Sequence, residues 1–442
     1  MMKIAVIGLW HQGVVGAACL AEWGYEVTGA DYAEERIRSL SAGKAPLFEP
    51  GLDDLLGQGV HAGSLTFTSD LKAAVAGCPV VLLMHDTPVN ERDESDVTGI
   101  FRAVTDIAPG LEQNVVIHVT AQVPVGTCDE LAHLLGKLRP DLRARFAYSP
   151  ENLRLGQAIE RFRKPPLPVL GADDDSVFQR LEELYAPCGV TWHRCSLRTA
   201  EMSKHALNSF LAVSITFANE LGNLCDTVGA DGHRLAELLR LEPRVGSKAM
   251  LFPGLGFAGG TLARDVQTLR SLAASGKIET PMLNGLWASN QQQNHMVPRR
   301  LAEALGGSLA GKRIAVWGLT YKPDTSTLRR SAALELMADL NSAGAQVMAH
   351  DPKADREELA HLAGFAFCET ALAAVVQADA LVLMTPWADY RTIDFVAVRK
   401  AMRGTLVFDT ANLWKAADVE ASGCTYLDIG RGRAARRKDV DA

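Results

Sequence analysis

The chain has 442 residues, 48% of them hydrophobic and 22% charged, with a net charge of −7. That length exceeds a single core and calls for two or three domains of an ordinary globular protein. The acidic balance gives no electrostatic footing for nucleic acid, and no apolar run reaches the roughly 20 residues that span a bilayer, so neither nucleic acid nor a membrane is an expected partner.

The N-terminus, Met-Met-Lys, runs at once into a strand pattern, which argues against a secretory leader. Lys3 to Ile7 is an apolar run closed by Gly8, a helical pattern follows from Gly13 to Trp23, and a second strand from Glu26 to Ala30 ends at Asp31. This is a βαβ opening. Buried strands are predicted at Val80 to Met84, Val115 to Val119, Phe146 to Tyr148 and Leu167 to Leu170, so a parallel sheet covered on both faces is expected. From Arg198 to about Val228 the chain is rich in Ala and Leu and free of proline, which predicts one long helix. A shorter helix follows from Gly232, and another helical stretch runs from about Pro281 to Leu305. A second βαβ pattern then opens with Lys312 to Gly318, continues through a helix over Ser331 to Ala343 stopped by Gly344, and reaches a strand at Gln346 to His350 followed by Asp351. Further strands are predicted near Ala380 to Leu383 and Leu406 to Phe408. The expected fold class is α/β: two Rossmann-like, doubly wound domains joined by a central long-helix domain. The boundaries are 1–197, 198–308 and 309–430, with a basic tail over 431–442 carrying five basic residues between Arg431 and Lys438. The eight cysteines are scattered without a C-x-x-C pair, which argues against a metal site or disulfide framework and for reduced thiols in a cytoplasm.

Three segments carry candidate chemistry. The first strand–helix turn reads Gly8-Leu9-Trp10-His11-Gln12-Gly13. Against the dinucleotide fingerprint G-x-G-x-x-G, Gly8 and Gly13 are present and Trp10 replaces the glycine that lets backbone approach the pyrophosphate. Trp10 therefore either turns aside or weakens the cofactor site. Asp31 stands where an acid binds the ribose hydroxyls and repels a 2′-phosphate, favouring NAD over NADP. On the long helix, Glu201, Lys204 and Asn208 share one face at i, i+3 and i+7, either as an exposed polar stripe or as groups that stabilise an alkoxide. The glycine-rich loop Gly254 to Gly260 precedes a helix starting near Leu262, and its amides either hold an anion or simply shape the turn.

Taken in order, further segments resemble the UDP-glucose/GDP-mannose dehydrogenase family over nearly the whole chain. Pro46 to Leu52 is similar to P-I/L-x-E-P-G-L, Val123 to Thr127 to V-P-V-G-T, and Ser149 to Gly156 to S-P-E-F-L-R-E-G. Ala200 to Lys204 with Asn208 is similar to A-E-x-x-K-x-x-x-N, Arg244 to Gly246 to R-I-G, Gly318 to Pro323 to G-L-A/T-F/Y-K-P, and Tyr426 to Arg431 to Y-x-G-I-G-R. The resemblance implies NAD in the first domain, held by Gly8, Trp10, Gly13, Asp31, Asp86, Thr87 and Arg329. It implies a nucleotide sugar, a UDP-sugar first of all, on Leu153, Arg244, Phe257, Gly259 and Lys322, and a homodimer built on the long helix in which Arg244 reaches the partner's substrate. Lys204 and Asn208 are implied to stabilise the oxyanion, and Asp265, with Glu151 close by, to activate a proton acceptor or water.

The departures concern the chemistry. In Gly256 to Asp265 the family's loop reads G-F/Y-G-G-S/T-C-F/L-x-K-D, and its nucleophilic cysteine is Thr261 here. The threonine that supports a catalytic water is Gln122, the second acid of the S-P-E segment is Leu155, and the glycine near NAD is Asp86. The paired acids after K-P-D/N-T are Ser326 and Thr327, and the arginine of D-G-R-N is Ala411. Relatives oxidise a sugar alcohol to the acid through a thiohemiacetal and a thioester. A threonine hydroxyl needs a dedicated base for that work. No histidine neighbours Thr261 in the sequence, although His205, next to Lys204 on the long helix, is one that the fold can bring near it. The first hydride transfer survives such a change and the second is crippled. Three readings follow: a dehydrogenase with altered chemistry, a nucleotide-sugar-binding pseudoenzyme, or an epimerase or dehydratase that recycles NAD.

Overall fold

A computed structural model describes residues 2–90, 95–257, 260–328 and 331–432. The chain divides into two compact units, Met1–Leu207 and Asn208–Ala442.

The first unit holds eight strands: β1 Lys3–Ile7, β2 Glu26–Ala30, β3 Leu65–Thr68, β4 Val80–Leu83, β5 Val116–Val119, β6 Arg145–Tyr148, β7 Val169–Gly171 and β8 His193–Cys195. They lie in the order β3-β2-β1-β4-β5-β6-β7-β8. The runs of Val, Ile and Leu bury both faces of the strands, as a parallel sheet requires. Ile4 and Val6 pack into one hydrophobic layer, and Ala5 and Ile7 into the other. The expected parallel sheet has one exception: β6 and β7 pair antiparallel, with Tyr148 opposite Gly171. The connection between them contains a short helix, Ala158–Arg163, that docks on the first helix, His11–Glu22. Phe162 lies 5.5 Å from Trp23, and Arg163 pairs with Glu22 at 2.6 Å. The chain is thus held on the face of the sheet that the first helix covers and re-enters the sheet reversed.

The second unit holds six strands: β9 Arg313–Trp317, β10 Gln346–His350, β11 Phe365–Phe367, β12 Ala380–Leu383, β13 Leu406–Asp409 and β14 Thr425–Leu427. Their order, β11-β10-β9-β12-β13-β14, repeats that of the first six strands, and every pair is parallel. In both sheets the strand order therefore reverses at one place, between β1 and β4 and between β9 and β12, where α/β sheets bind ligands beyond the carboxyl ends of the strands.

The long helix spans Leu197–Val228. It stops at Gly229, whose φ of +76° suits glycine, and Asp231 caps the next helix, Gly232–Leu239, by accepting from His233 and Arg234 N–H. The single helical stretch expected over Pro281 to Leu305 is two helices, Pro281–Asn294 and Met296–Ala304, separated at His295. Pro298 explains the break. In a continuous helix it could not donate to the Asn294 carbonyl, whereas in a first turn its missing N–H costs nothing.

Candidate active site

At the first switch point the backbone folds so tightly that side chains are excluded. Gly8 has φ +93°, and a Cβ there would sit 3.0 Å from the N, Cα and Cγ of His85. A Cβ on Gly13 would lie 1.8 Å from the Gly8 carbonyl oxygen. These two glycines are required by the turn. Trp10 is 37% exposed, and its ring lies under the Arg36 guanidinium at 4.9 Å, toward the helix Glu34–Ser41. Asp31 Oδ2 accepts from Leu9 N–H at 2.7 Å and from Arg36 at 2.8 Å, and Oδ1 accepts from Ala33 N–H at 3.0 Å. Its side chain remains 11% exposed. His85 follows β4, and its buried Nδ1 has no partner. Burial pushes that imidazole down to about 4. Thr87 is buried and donates to the Gln122 carbonyl at 2.9 Å, whereas Asp86 is exposed. A close-approach turn, a helix N-terminus, a half-satisfied acid and an orphaned ring nitrogen fit a dinucleotide.

The polar stripe of the long helix is buried, not exposed: Glu201, Lys204 and Asn208 are 0%, 9% and 5% accessible. Glu201 has a structural task. Its carboxylate accepts from Gly126 N–H at 2.6 Å and Cys128 N–H at 2.9 Å and so caps the helix Thr127–Leu138. Lys204 donates to the Glu151 carbonyl oxygen at 2.5 Å. The Glu151 carboxylate folds back to accept from Leu153 N–H, and Asn152 pins the same turn through the Pro150 and Leu167 carbonyls. His205 is fully buried with Nε2 2.8 Å from the Val123 carbonyl. Behind Glu151 lies a cavity of 50 Å³ bounded by Gln12, Thr120, His118, Ser149 and Tyr185 among others. Gln12 donates to both oxygens of Thr120. His118 bridges Ser149 Oγ at 2.9 Å and Tyr185 OH at 3.1 Å, and complete burial pushes it down to about 3.

In the second unit Asn208 donates to the buried Asp265 carboxylate, whose other oxygen faces Arg264 at 3.9 Å. Asp265 occupies the first turn of the helix Leu262–Ser275, where the helix dipole favours an anion. Thr261 is exposed at the N-cap, and its hydroxyl caps none of the helix N–H groups. The preceding loop is tied down by amide side chains. Asn219 bonds Gly254 N–H and the Leu255 carbonyl, Gln293 the Gly254 carbonyl, and Asn290 both backbone groups of Phe257. Arg244 is 88% exposed along its side chain and pairs with Glu242 at 2.9 Å. Lys322 lies 5.5 Å from the Tyr321 ring. At the second switch point a cavity of 180 Å³ is lined by Gly256, Thr320, Tyr321, Ser331 and Thr385 among others. Gly259 and Arg329 lie outside the described residues.

The structure thus joins Lys204 to Glu151, Asn208 to Asp265, Thr87 to Gln122, and Asp31 to the Gly8 turn. Sequence reasoning missed His85, Arg36, Gln12 and the amide anchors. The available signals were a histidine closing the apolar run Val80 to Met84, and the amide cluster Asn290 to Asn294 inside a helix.

Three family descriptions match this chain. They are the NAD binding domain of the UDP-glucose/GDP-mannose dehydrogenase family over residues 2–189, its central domain over 198–292 and its UDP binding domain over 315–416. The UDP-glucose 6-dehydrogenase of Rhizobium meliloti is 35% identical over 436 residues, covering 97% of this chain and all of that protein. The UDP-glucose 6-dehydrogenase of Pseudomonas aeruginosa is 33% identical over 450 residues, covering 99% of each. Among solved structures, a UDP-glucose dehydrogenase from Pyrobaculum islandicum matches with a TM-score of 0.88 at 29% identity, over 97% of each chain.

Proposed function

The chain belongs to the UDP-glucose/GDP-mannose dehydrogenase family, and from that membership we propose that it oxidises the primary alcohol of a UDP-hexose and stops at the aldehyde. It is an NAD-dependent oxidoreductase acting on a CH–OH group. When bound, NAD accepts the hydride. Gly8, Gly13, Asp31 and Thr87 would hold it, with Trp10 and Asp86 beside them. Phe257 and Lys322, both in the second unit, would hold the nucleotide sugar.

The chain's own residues account for one oxidation. Lys204 and Asn208 stabilise the alkoxide as the hydroxyl proton leaves, and the buried Asp265 accepts that proton through water. Each turnover then yields one aldehyde, one NADH and one proton. The observation that carries the proposal is Thr261. It replaces a thiol at the start of the helix whose Asp265 pairs with Asn208. A free cysteine titrates near ~8.5, so a usable fraction is thiolate at neutral pH, while a threonine hydroxyl has no such fraction. His205, the candidate base, is committed to the Val123 carbonyl. Without a covalent adduct the aldehyde is not held for a second hydride transfer. NADH stoichiometry and product mass on a panel of UDP-sugars test this. One NADH and an aldehyde are expected; two NADH and a uronic acid from the unmodified protein overturn the proposal. Thr261→Cys is expected to raise the second-step rate only in part, because Gln122 and Leu155 alter water activation as well.

The functional form is a homodimer. Phe210, Phe217 and Leu224, spaced by seven residues on the long helix, are 68%, 53% and 62% exposed, a stripe that water does not favour. Arg244 is exposed on the same unit, which supports assigning it to the partner's substrate. Light scattering at micromolar concentration is expected to give the dimer mass, and a monomer contradicts it. Arg244→Ala is expected to weaken substrate binding and leave the dimer intact.

A further inference from the structure

His85 stands at the β1/β4 switch point and nothing in the reaction outlined above uses it. It closes an otherwise apolar strand, Val80–Leu83 with Met84. Its Cγ lies against Gly8, where even a Cβ would come within 3.0 Å. Its Nδ1 is buried and has no hydrogen-bond partner. An orphaned buried donor costs about 1–3 kcal/mol, so such groups are rare unless something arrives to satisfy them.

The second sheet shows what a switch point without an open polar group looks like. There Thr385 follows β12 and Met384 as His85 follows β4 and Met84, and it presses on Gly318 in the same way. The Thr385 hydroxyl is satisfied internally, donating to the Thr320 carbonyl at 2.5 Å. The ligand end of the first switch point is also electropositive in the backbone. The helix His11–Glu22 starts there with no acidic residue in its first turn and no side-chain cap on its N–H groups. A phosphate oxygen at such a place is favoured by the unpaired N–H groups and the dipole.

We infer that His85 is a cofactor-binding residue whose Nδ1–H donates a hydrogen bond to the pyrophosphate of the bound dinucleotide. The inference rests on NAD binding alone and is independent of how far the sugar is oxidised. Because burial holds the ring neutral at ordinary pH, the proton on Nδ1 is a tautomer choice and the group donates without carrying charge. The histidine then offsets part of what the fingerprint loses with Trp10, by supplying one donor from the neighbouring strand.

The test is titration of the full-length protein with NAD and with ADP-ribose by calorimetry, for the unmodified chain and three variants. His85→Leu keeps the volume and removes the donor, and is expected to weaken both ligands about tenfold, the value of one hydrogen bond to an anionic acceptor. His85→Asn places an amide nitrogen where Nδ1 stands and is expected to stay within about threefold of the unmodified protein. His85→Gln places its nitrogen one bond further out and is not expected to rescue. Adenosine, which lacks the pyrophosphate, is expected to bind all four proteins alike. Unchanged NAD affinity in His85→Leu overturns the inference, as does an Asn variant as weak as Leu, which marks a packing role only. If the variants fail to fold, the ring nitrogen resonances of His85 in the unmodified protein decide. A shift on adding ADP-ribose supports the hydrogen bond, and no shift overturns it.

Discussion

Both sheets end their second strand in an aspartate that accepts from the backbone of the first turn, yet the two aspartates have opposite fates. Asp351 Oδ2 takes Leu319 N–H at 2.7 Å, Thr320 N–H at 3.1 Å, the Thr320 hydroxyl at 3.3 Å and Trp387 Nε1 at 3.0 Å, while Oδ1 takes Lys353 and Ala354 N–H at 2.8 Å each. It is 3% exposed. Asp31 makes the same first contact, Leu9 N–H to Oδ2 at 2.7 Å, but its remaining partners are Ala33 N–H and the Arg36 guanidinium. The connections differ too. In the first unit the helix begins at His11, directly after the turn, whereas in the second the segment 318–331 intervenes before the helix Ala332–Ser342. One scaffold has been closed by its own hydrogen bonds, and a cavity lies beside Thr320 and Tyr321. The other leaves its acid with three partners, its helix end without a side-chain cap and its histidine Nδ1 buried without a partner. Hydrogen-bond saturation, not fold, separates the two acids.

The largest effect that sharpens this contrast is expected from Asp351→Ala. Several buried donors lose their acceptor at about 1–3 kcal/mol each, so stability should fall by on the order of 4 kcal/mol or more, seen as a lower urea midpoint. Asp31→Ala should cost on the order of 1 kcal/mol in the same experiment. Similar losses for the two variants break the comparison.

The next effect is acid sensitivity. His118 on β5 faces Leu82 of β4, and its counterpart on β13, opposite Val382 of β12, is Phe408. The buried His118 is held at about 3. An unfolded histidine titrates near ~6.5, so between the two values the unfolded chain binds the extra proton. The stability is therefore complete above the unfolded value and is lost as pH falls below it. About 2 kcal/mol should disappear between roughly pH 7 and pH 5 from this residue alone. His118→Phe should remove that slope, even though it leaves Ser149 and Tyr185 without their partner. An unchanged slope shows that the acid sensitivity lies elsewhere.

The smallest effect is on ligand choice. Asp31→Ala should weaken NAD by about tenfold and narrow the preference over NADP, because a carboxylate repels a 2′-phosphate. Tighter binding of NADP than NAD by the unmodified protein would falsify the role given to Asp31.

Much of the fold is legible in the chain. Apolar runs closed by Gly8 and Gly318 specify parallel strands and tight turns, because a positive φ and backbone contact leave no room for a side chain. The proline-free stretch from Leu197 to Val228 reads as one helix and is one. The break at His295 was missed because the pattern around Pro298 is otherwise helical. The antiparallel entry of β7 was missed because strand direction depends on how the preceding connection packs, here on Phe162 and Arg163. In the site, the i, i+3, i+7 spacing put Glu201, Lys204 and Asn208 on one face but could not distinguish a stripe in water from one in the interior.

By itself, the sequence determined the two βαβ halves, the long helix and the family, since each is written in local pattern or in a motif read in order. Only the tertiary structure decided which polar groups are spent and which remain available. Glu201 is spent on the N–H groups of Gly126 and Cys128, Asp351 on the turn it closes, and the Nδ1 of His85 on nothing within the described residues. The reason is physical. A local pattern sets which way a side chain faces, but its hydrogen-bond partners come from segments far along the chain, and burial makes each such pairing either satisfied or costly.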